Sequence, residues 1–303
     1  MTPRTSVLPG IGMRASAALR RRLGRGDAGE AAPVPLVAAA CCVLLVLAAI
    51  LGTALAPYAK DAVDLGASLL PPAWQEGGTR AHLLGTDQLG RDILSRLIAG
   101  ARISLATAAA ATLFSGVVGV LVGLVAGYVG GWLERVAMRI VDAFLALPFI
   151  LLALALVATL GSGFGNIIAV MVVANWARYA RLARSEAVSI RGRDFVTLAR
   201  IAGVSPMTIM LRHVLPNALN SVVVLAILDV GRAIILESSL SFLGVGIQPP
   251  DVSWGLMLAD GRTFLGFAWW LTTLPGLMIV IAVLAFNALG RWLHVRIDPR
   301  GPL

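Results

Sequence analysis

The chain has 303 residues, of which 58% are hydrophobic and 14% charged, with a mean hydropathy of +0.86. A soluble domain must cover its surface with polar groups, and this composition excludes one. The formal net charge of +9 comes from Arg gathered between apolar runs, the pattern that orients membrane proteins, and nucleic-acid binding is not expected.

Residues 1–33 hold Arg4, Arg14, Arg20, Arg21, Arg22 and Arg25 and read as a basic cytoplasmic tail. Six apolar windows follow, near 35–56, 103–127, 143–161, 166–180 with a helical extension, 218–236 and 269–290. Each approaches the roughly 17–25 residues that cross a hydrocarbon core. In the first, AAAC at 38–41 has the outline of a lipoprotein cleavage site, but the apolar core VLLVLAAILG follows the cysteine instead of preceding it. The window is therefore expected to be an uncleaved span. Cys41 and Cys42 are adjacent, which disfavours a bridge between them.

The loop after the first window mixes Lys60, Arg80, Arg91, Arg96 and Arg102 with Asp61, Asp64, Glu76, Asp87 and Asp92. An amphipathic helix at 88–99, with Leu89, Ile93 and Leu97 in line, is expected to lie flat at the outer interface. In the second window Gly119, Gly123 and Gly127 recur every four residues and form a close-packing face for another helix. The fourth window, NIIAVMVVANWARYA, is short, with Arg178 soon after Trp176. An interfacial Trp and a snorkelling Arg let a helix end there; the alternative is a re-entrant hairpin made of the third and fourth windows. With the N-terminus inside, 18 of the 25 Lys and Arg fall on one side, which predicts that both termini are cytoplasmic.

The stretch RDFVTLARIAGVSPMTIMLRHVLPN, residues 193–217, interrupts the apolar pattern on the Arg-rich side. Asp194 is placed to cap a short helix, with Phe195, Leu198, Ala199 and Ala202 on one stripe, and Gly203 can take the left-handed conformation that ends it. Ser205 and Pro206 suit the N-cap and first position of a second helix, with Met207, Met210, Leu211 and Val214 in line and Pro216 closing it. Helices this short need a partner for their apolar faces: the bilayer surface, the rest of the chain or another protein. Small residues grouped at the bend (Ala199, Ala202, Gly203) favour close approach by a protein.

The fifth window carries Asp229 and Arg232 at i and i+3. Charges inside a bilayer pair or face protein or water, so the two are candidates for lining the translocation path or for a structural pair at a subunit interface. Glu237 at the outer end of that window is a further path candidate. Residues 237–268, with SFLGVG, Pro249, Pro250 and Trp254, are too apolar for a plain loop and suggest a re-entrant or docked segment. His82, His213 and His294 are scattered, and no HExxH or paired CxxC spacing occurs, so neither a catalytic group nor a metal site is expected. The only lysine, Lys60, is flanked by Ala59 and Asp61, which rules out a Gly-Lys-Ser/Thr phosphate loop.

The 193–217 segment resembles the cytoplasmic Glu-Ala-Ala loop of ABC-importer membrane subunits. Ala199, Gly203, Leu215 and Pro216 hold that loop's places, while Thr197 stands where the family has Glu and Leu198 where it has the first Ala. LLGTDQLGRDILSRLIAGARISL at 83–105, SLSFLGVGIQPPDVSWGLMLADGR at 239–262, LPGLMIVIAVLAFNALG and the terminal IDPR are similar to dipeptide and oligopeptide permease subunits, over roughly 35–300. The resemblance implies an all-α membrane protein with six transmembrane helices and the type I importer fold, serving as a C-type permease subunit in the bacterial inner membrane. It implies a tail at 1–33, a first helix and outer loop at 34–102, a five-helix core at 103–290 containing a coupling segment at 185–217, and a tail at 291–303.

The implied partners are a second, different permease, two ATP-binding subunits or domains that carry ATP and Mg, an extracytoplasmic binding protein, the lipid bilayer and a peptide substrate; no cofactor is implied in this chain. Asp194, Thr197, Leu198, Ala199, Gly203, Ser205, Arg212, His213 and Pro216 would couple to the ATPases, whose closure would move the segment and rock the attached spans. Nickel chelates, glutathione or haem are alternative cargoes. A secondary transporter is the alternative of another class, but it would need no amphipathic cytoplasmic helix pair.

Overall fold

Apolar runs this long leave the backbone no water to bond with, and helices satisfy their amides internally. A computed structural model describes residues 35–297; the basic tail expected at 1–33 and the end of the expected tail at 291–303 lie outside the described residues. The helices are α1 (Leu36–Leu55), α2 (Ile93–Val129), α3 (Gly131–Ala146), α4 (Phe149–Leu160), α5 (Phe164–Arg191), α6 (Asp194–Ile201), α7 (Pro206–Ile209), α8 (Leu215–Phe242), α9 (Trp254–Gly261) and α10 (Trp270–Ile297). Among the described residues the only extended pairing is an isolated bridge between Thr86 and Asp92.

Three rods, Ile93–Val129, Pro206–Phe242 and Trp270–Ile297, are long and apolar enough to cross a membrane. The window at 143–161 is broken: α3 and α4 meet at 93° and make a fourth candidate only if taken together. The break falls at Leu147–Pro148, where Leu147 is extended because a proline disfavours helical geometry in the residue before it. In α1 the apolar stretch Leu36–Gly52 is shorter than a typical span. α5 runs well past the apolar window, to Arg191, and carries Asn175, Arg178, Arg181 and Arg184 along its length.

The separate flat helix expected at 88–99 does not form. The Asp92 carboxylate accepts from the Ser95 amide at 2.8 Å and its hydroxyl at 2.7 Å, which caps α2 at Ile93. Ile93 and Leu97 are buried and Leu89 lies in the preceding loop. The division expected at 102/103 thus falls inside one continuous helix.

The centre of the bundle is the packing of α2 on α5. A Cβ at Gly119, Gly123 or Gly127 would run into Trp176 and Tyr179, Ala180 and Ala183, or Arg184 and Ala187 respectively. Absent side chains at four-residue spacing let the two backbones approach closely. At the Ile93 end of α2 the 237–268 segment is docked. Trp254 is fully buried, its indole donates to the Leu97 carbonyl at 2.9 Å and its amide to Ser104 Oγ at 3.1 Å.

Candidate functional site

The 194–216 segment is built with two faces. Asp194 is the first residue of α6, not its cap; Arg193 holds the cap position without a side-chain bond. An acid in the first turn still meets the positive end of the helix dipole. Gly203 ends the helix at φ +79°. Its amide donates to the Arg200 carbonyl and that of Val204 to Ala199, both at 3.1 Å, the paired bonds of a Schellman turn. Ser205 then caps α7 through the Thr208 amide at 3.3 Å, with Pro206 in the first turn.

Pro216 does not close this second helix. Met210–Val214 form a wider turn in which the Leu215 amide reaches Met210 five residues back, and the chain runs on into α8. A proline lacks an amide and its ring crowds the carbonyl four residues earlier; the wider turn relieves both. Asn217 Nδ2 donates to the His213 carbonyl at 2.6 Å.

Val196, Ile209, Met210, Val214 and Ala218 are buried against Leu124 of α2 and Ala187 and Ile190 of α5, with Ala199 and Val204 alongside. The expected stripe of Phe195, Leu198, Ala199 and Ala202 is split: Ala199 packs against the bundle, while Phe195, Leu198 and Ala202 are exposed. Leu198 is 65% exposed, Ile201 77% and Met207 60%. Thr197, Gly203, Ser205, Arg212 and Pro216 share that open side. His213 is half-buried beside Phe195, ring centres 6.3 Å apart, and the Thr197 hydroxyl turns back to the Arg193 carbonyl at 3.4 Å.

A latch not foreseen from the sequence braces this end. Arg184 Nε donates to Glu134 at 2.6 Å, Arg181 pairs with Asp142, Arg191 donates to the Tyr128 carbonyl at 2.9 Å and the Ser221 hydroxyl to Glu186 at 2.7 Å. The signal was present: Arg178, Arg181 and Arg184 stand three apart on α5, and Glu134 and Asp142 two turns apart on α3.

Asp229 is buried, but its partners are on α5: Arg178 Nη1 at 2.5 Å and the Tyr179 hydroxyl, which donates at 3.1 Å. Of the two alternatives weighed for Asp229 and Arg232, path lining or a structural pair, an ion pair between them is absent among the described residues. Asp229 turns toward α5, while Arg232, about 60° further round α8, stands exposed. Glu237, the further path candidate, sits inside the bundle. It is fully buried, accepting from Ser241 Oγ at 2.7 Å and Ser104 Oγ at 3.4 Å.

Near the Ile93 end of α2, Asp87 accepts from Arg91 at 2.6 Å and lies 3.6 Å from Arg96, which also faces Asp260 at 3.8 Å. Burial raises the Asp260 carboxyl above its ordinary value, while Arg96 and Arg91 pull it back. Among the described residues no group of three or more His, Cys, Asp or Glu could hold a metal ion.

Residues 119–301 match the profile of the family described as binding-protein-dependent transport system inner membrane component. The chain is 42% identical over 257 residues to the Di/tripeptide transport system permease protein DppC of Pseudomonas aeruginosa, covering 85% of each. It is 44% identical over 258 residues to the Dipeptide transport system permease protein DppC of Escherichia coli K12, covering 85% of this chain and 86% of the relative. It is 42% identical over 266 residues to the Glutathione transport system permease protein GsiD of an Escherichia coli O1:K1 strain, covering 88% and 86%. A match across more than half the chain, together with identity at this level over most of its length, means that the protein belongs to the family of binding-protein-dependent transport system inner membrane components.

Proposed function

We propose that the chain is the C-type permease subunit of an ATP-driven ABC importer of dipeptides or oligopeptides, in the bacterial cytoplasmic membrane with both termini inside. α1, α2, the bent α3–α4 pair, α5, α8 and α10 provide six crossings. A second, different permease supplies the other half of the pathway, an extracytoplasmic binding protein delivers the peptide, and two partner subunits or domains bind ATP and Mg. Asp194, Thr197, Leu198, Ala199, Gly203, Ser205, Arg212, His213 and Pro216 belong to the surface that meets the ATPases. Arg232 faces the pathway or the second permease, since a charge exposed on a membrane helix requires a polar neighbour in the assembly.

The observation that carries this reading is the double-sided 194–216 segment. One apolar face is consumed by the bundle, and a second, with Leu198 65% and Ile201 77% exposed, is held outward by the turn at Gly203. Short helices with an apolar face to spare fit a cleft in another protein.

The test is uptake of radiolabelled dialanine by the complete transporter in proteoliposomes. Uptake that persists with ion gradients collapsed and stops without ATP is expected; the reverse identifies a secondary transporter. A glutathione cargo is the second reading, favoured by the 42% identity to the glutathione permease, and competition between unlabelled glutathione and dialanine separates the two.

A further inference from the structure

A cavity of about 510 Å³ opens beside the outer part of α2, bounded by Gly52 of α1, Lys60 of the outer loop, Arg102 and Ala106 of α2, Phe164 of α5 and Asp251 of the docked outer segment. Its volume falls within the roughly 300–1,000 Å³ of small-molecule pockets, and its walls follow their pattern of apolar or small residues with a few polar groups. Ala106 takes up little of the space, and Phe164 supplies a flat apolar wall.

The charges around it are unevenly matched. Lys60 is committed: its ammonium donates to the Pro250 carbonyl at 2.6 Å and lies 3.6 Å from Asp61, tying the outer loop to the docked segment. Arg102 and Asp251 both line the cavity, yet neither has an ion pair among the described residues. An unmatched cation and an unmatched anion therefore border one partly apolar space without neutralising each other. Arg102 is exposed on α2 and Asp251 half-buried in the facing loop, so both charges are open to a ligand entering the cavity. A guanidinium is suited to a carboxylate, and a carboxylate to an ammonium.

We infer that this cavity binds the zwitterionic backbone of a short peptide as it enters from the binding protein, with Arg102 taking the terminal carboxylate and Asp251 the terminal ammonium. The inference rests on the peptide-importer reading above and adds to it a subsite in this subunit. It sets a selectivity that side chains do not: free termini are recognised, and a peptide blocked at both ends is not.

The probe is dialanine, with N-acetyl-dialanine amide as the blocked control, and the protein is the complete purified complex in nanodiscs without binding protein. Saturation-transfer NMR should show dialanine binding that the blocked peptide does not displace. R102A and D251N should each weaken it at least tenfold, with R102K recovering part of the loss. Unchanged binding in both variants, or equal displacement by the blocked peptide, overturns the subsite. Loss of the ATPase activity stimulated by loaded binding protein, with dialanine binding intact, would make Arg102 and Asp251 docking residues for the binding protein and overturn the inference as well. Dialanine uptake by the wild-type proteoliposomes reports separately on the importer reading: uptake with unaltered binding in the variants removes only the subsite, while absence of ATP-driven uptake removes both.

Discussion

Gly203 and Asp229 show how much one residue can decide. Gly203 sits at φ +79° with nothing within 4 Å of where a Cβ would be, so a side chain there meets no clash, only the roughly 1–2 kcal/mol cost of a left-handed L-residue. G203V should relieve that cost by opening the bend, leaving the complex assembled but lowering peptide uptake and the ATPase activity coupled to it. Normal uptake and stimulation in this variant would refute the coupling role. Asp229 carries a different load. Removing it leaves Arg178 and Tyr179 facing a void, and breaking a buried pair costs on the order of 3 kcal/mol. D229A should lower the thermal midpoint of the complex by several degrees. R232A, altering an exposed side chain, should leave the midpoint alone and reduce uptake. Spacing along a helix speaks only of neighbours on that helix and offers Arg232 as a partner for Asp229; Arg178, 51 positions upstream, enters through tertiary packing. Gly203 was legible because its role is a backbone conformation that few other residues can hold.

Among elements, the join between the coupling segment and α8 is the most informative. From sequence, a proline after an amphipathic stretch signals an end, and Pro216 was read that way. The chain instead widens one turn and continues, so Pro206–Phe242 is one rod. P216A restores an amide and removes the ring, allowing a regular helix that would rotate the coupling surface relative to α8. The expected result is unimpaired folding with reduced uptake; assembly by size exclusion and transport in the same preparation check it. Which face of α6 turns inward was not legible, for a related reason. In eight residues both Val196–Ala199 and Phe195–Leu198 satisfy helical spacing, and only the position of Ala187 and Ile190 on α5 selects the first pair. The charge pairs bracing α3 to α5 are partly exposed, with Arg184 at 40% and Glu134 at 18% of side-chain surface. A double-mutant cycle on them should return a coupling of about 1 kcal/mol or less, falling with added salt.

At the scale of the whole molecule, composition and the uneven spread of Arg already spoke for a multi-pass membrane helix bundle, and the family profile over 119–301 agrees. What hydropathy could not resolve was how the windows are realised: 143–161 is a right-angled pair, and 166–180 is the start of a helix reaching Arg191. The inside assignment of the coupling segment can be checked directly. With Cys41 and Cys42 replaced by alanine, single cysteines at Trp74, 62% exposed, and Ile201, 77% exposed, should react differently with a membrane-impermeant maleimide in intact cells. The first should label and the second only after permeabilisation; labelling of both in intact cells would invert or break the topology.

The unbroken run from Pro206 to Phe242 has a mechanical consequence. Its 37 residues at 1.5 Å each make a lever of roughly 55 Å, so pivoting it by about 10° at the Pro206 end would sweep the Phe242 tip through about 10 Å. Under the proposed coupling role a small movement at one end is thereby geared up at the other, and spin labels at Met207 and Phe242 would register the unequal travel of the two ends.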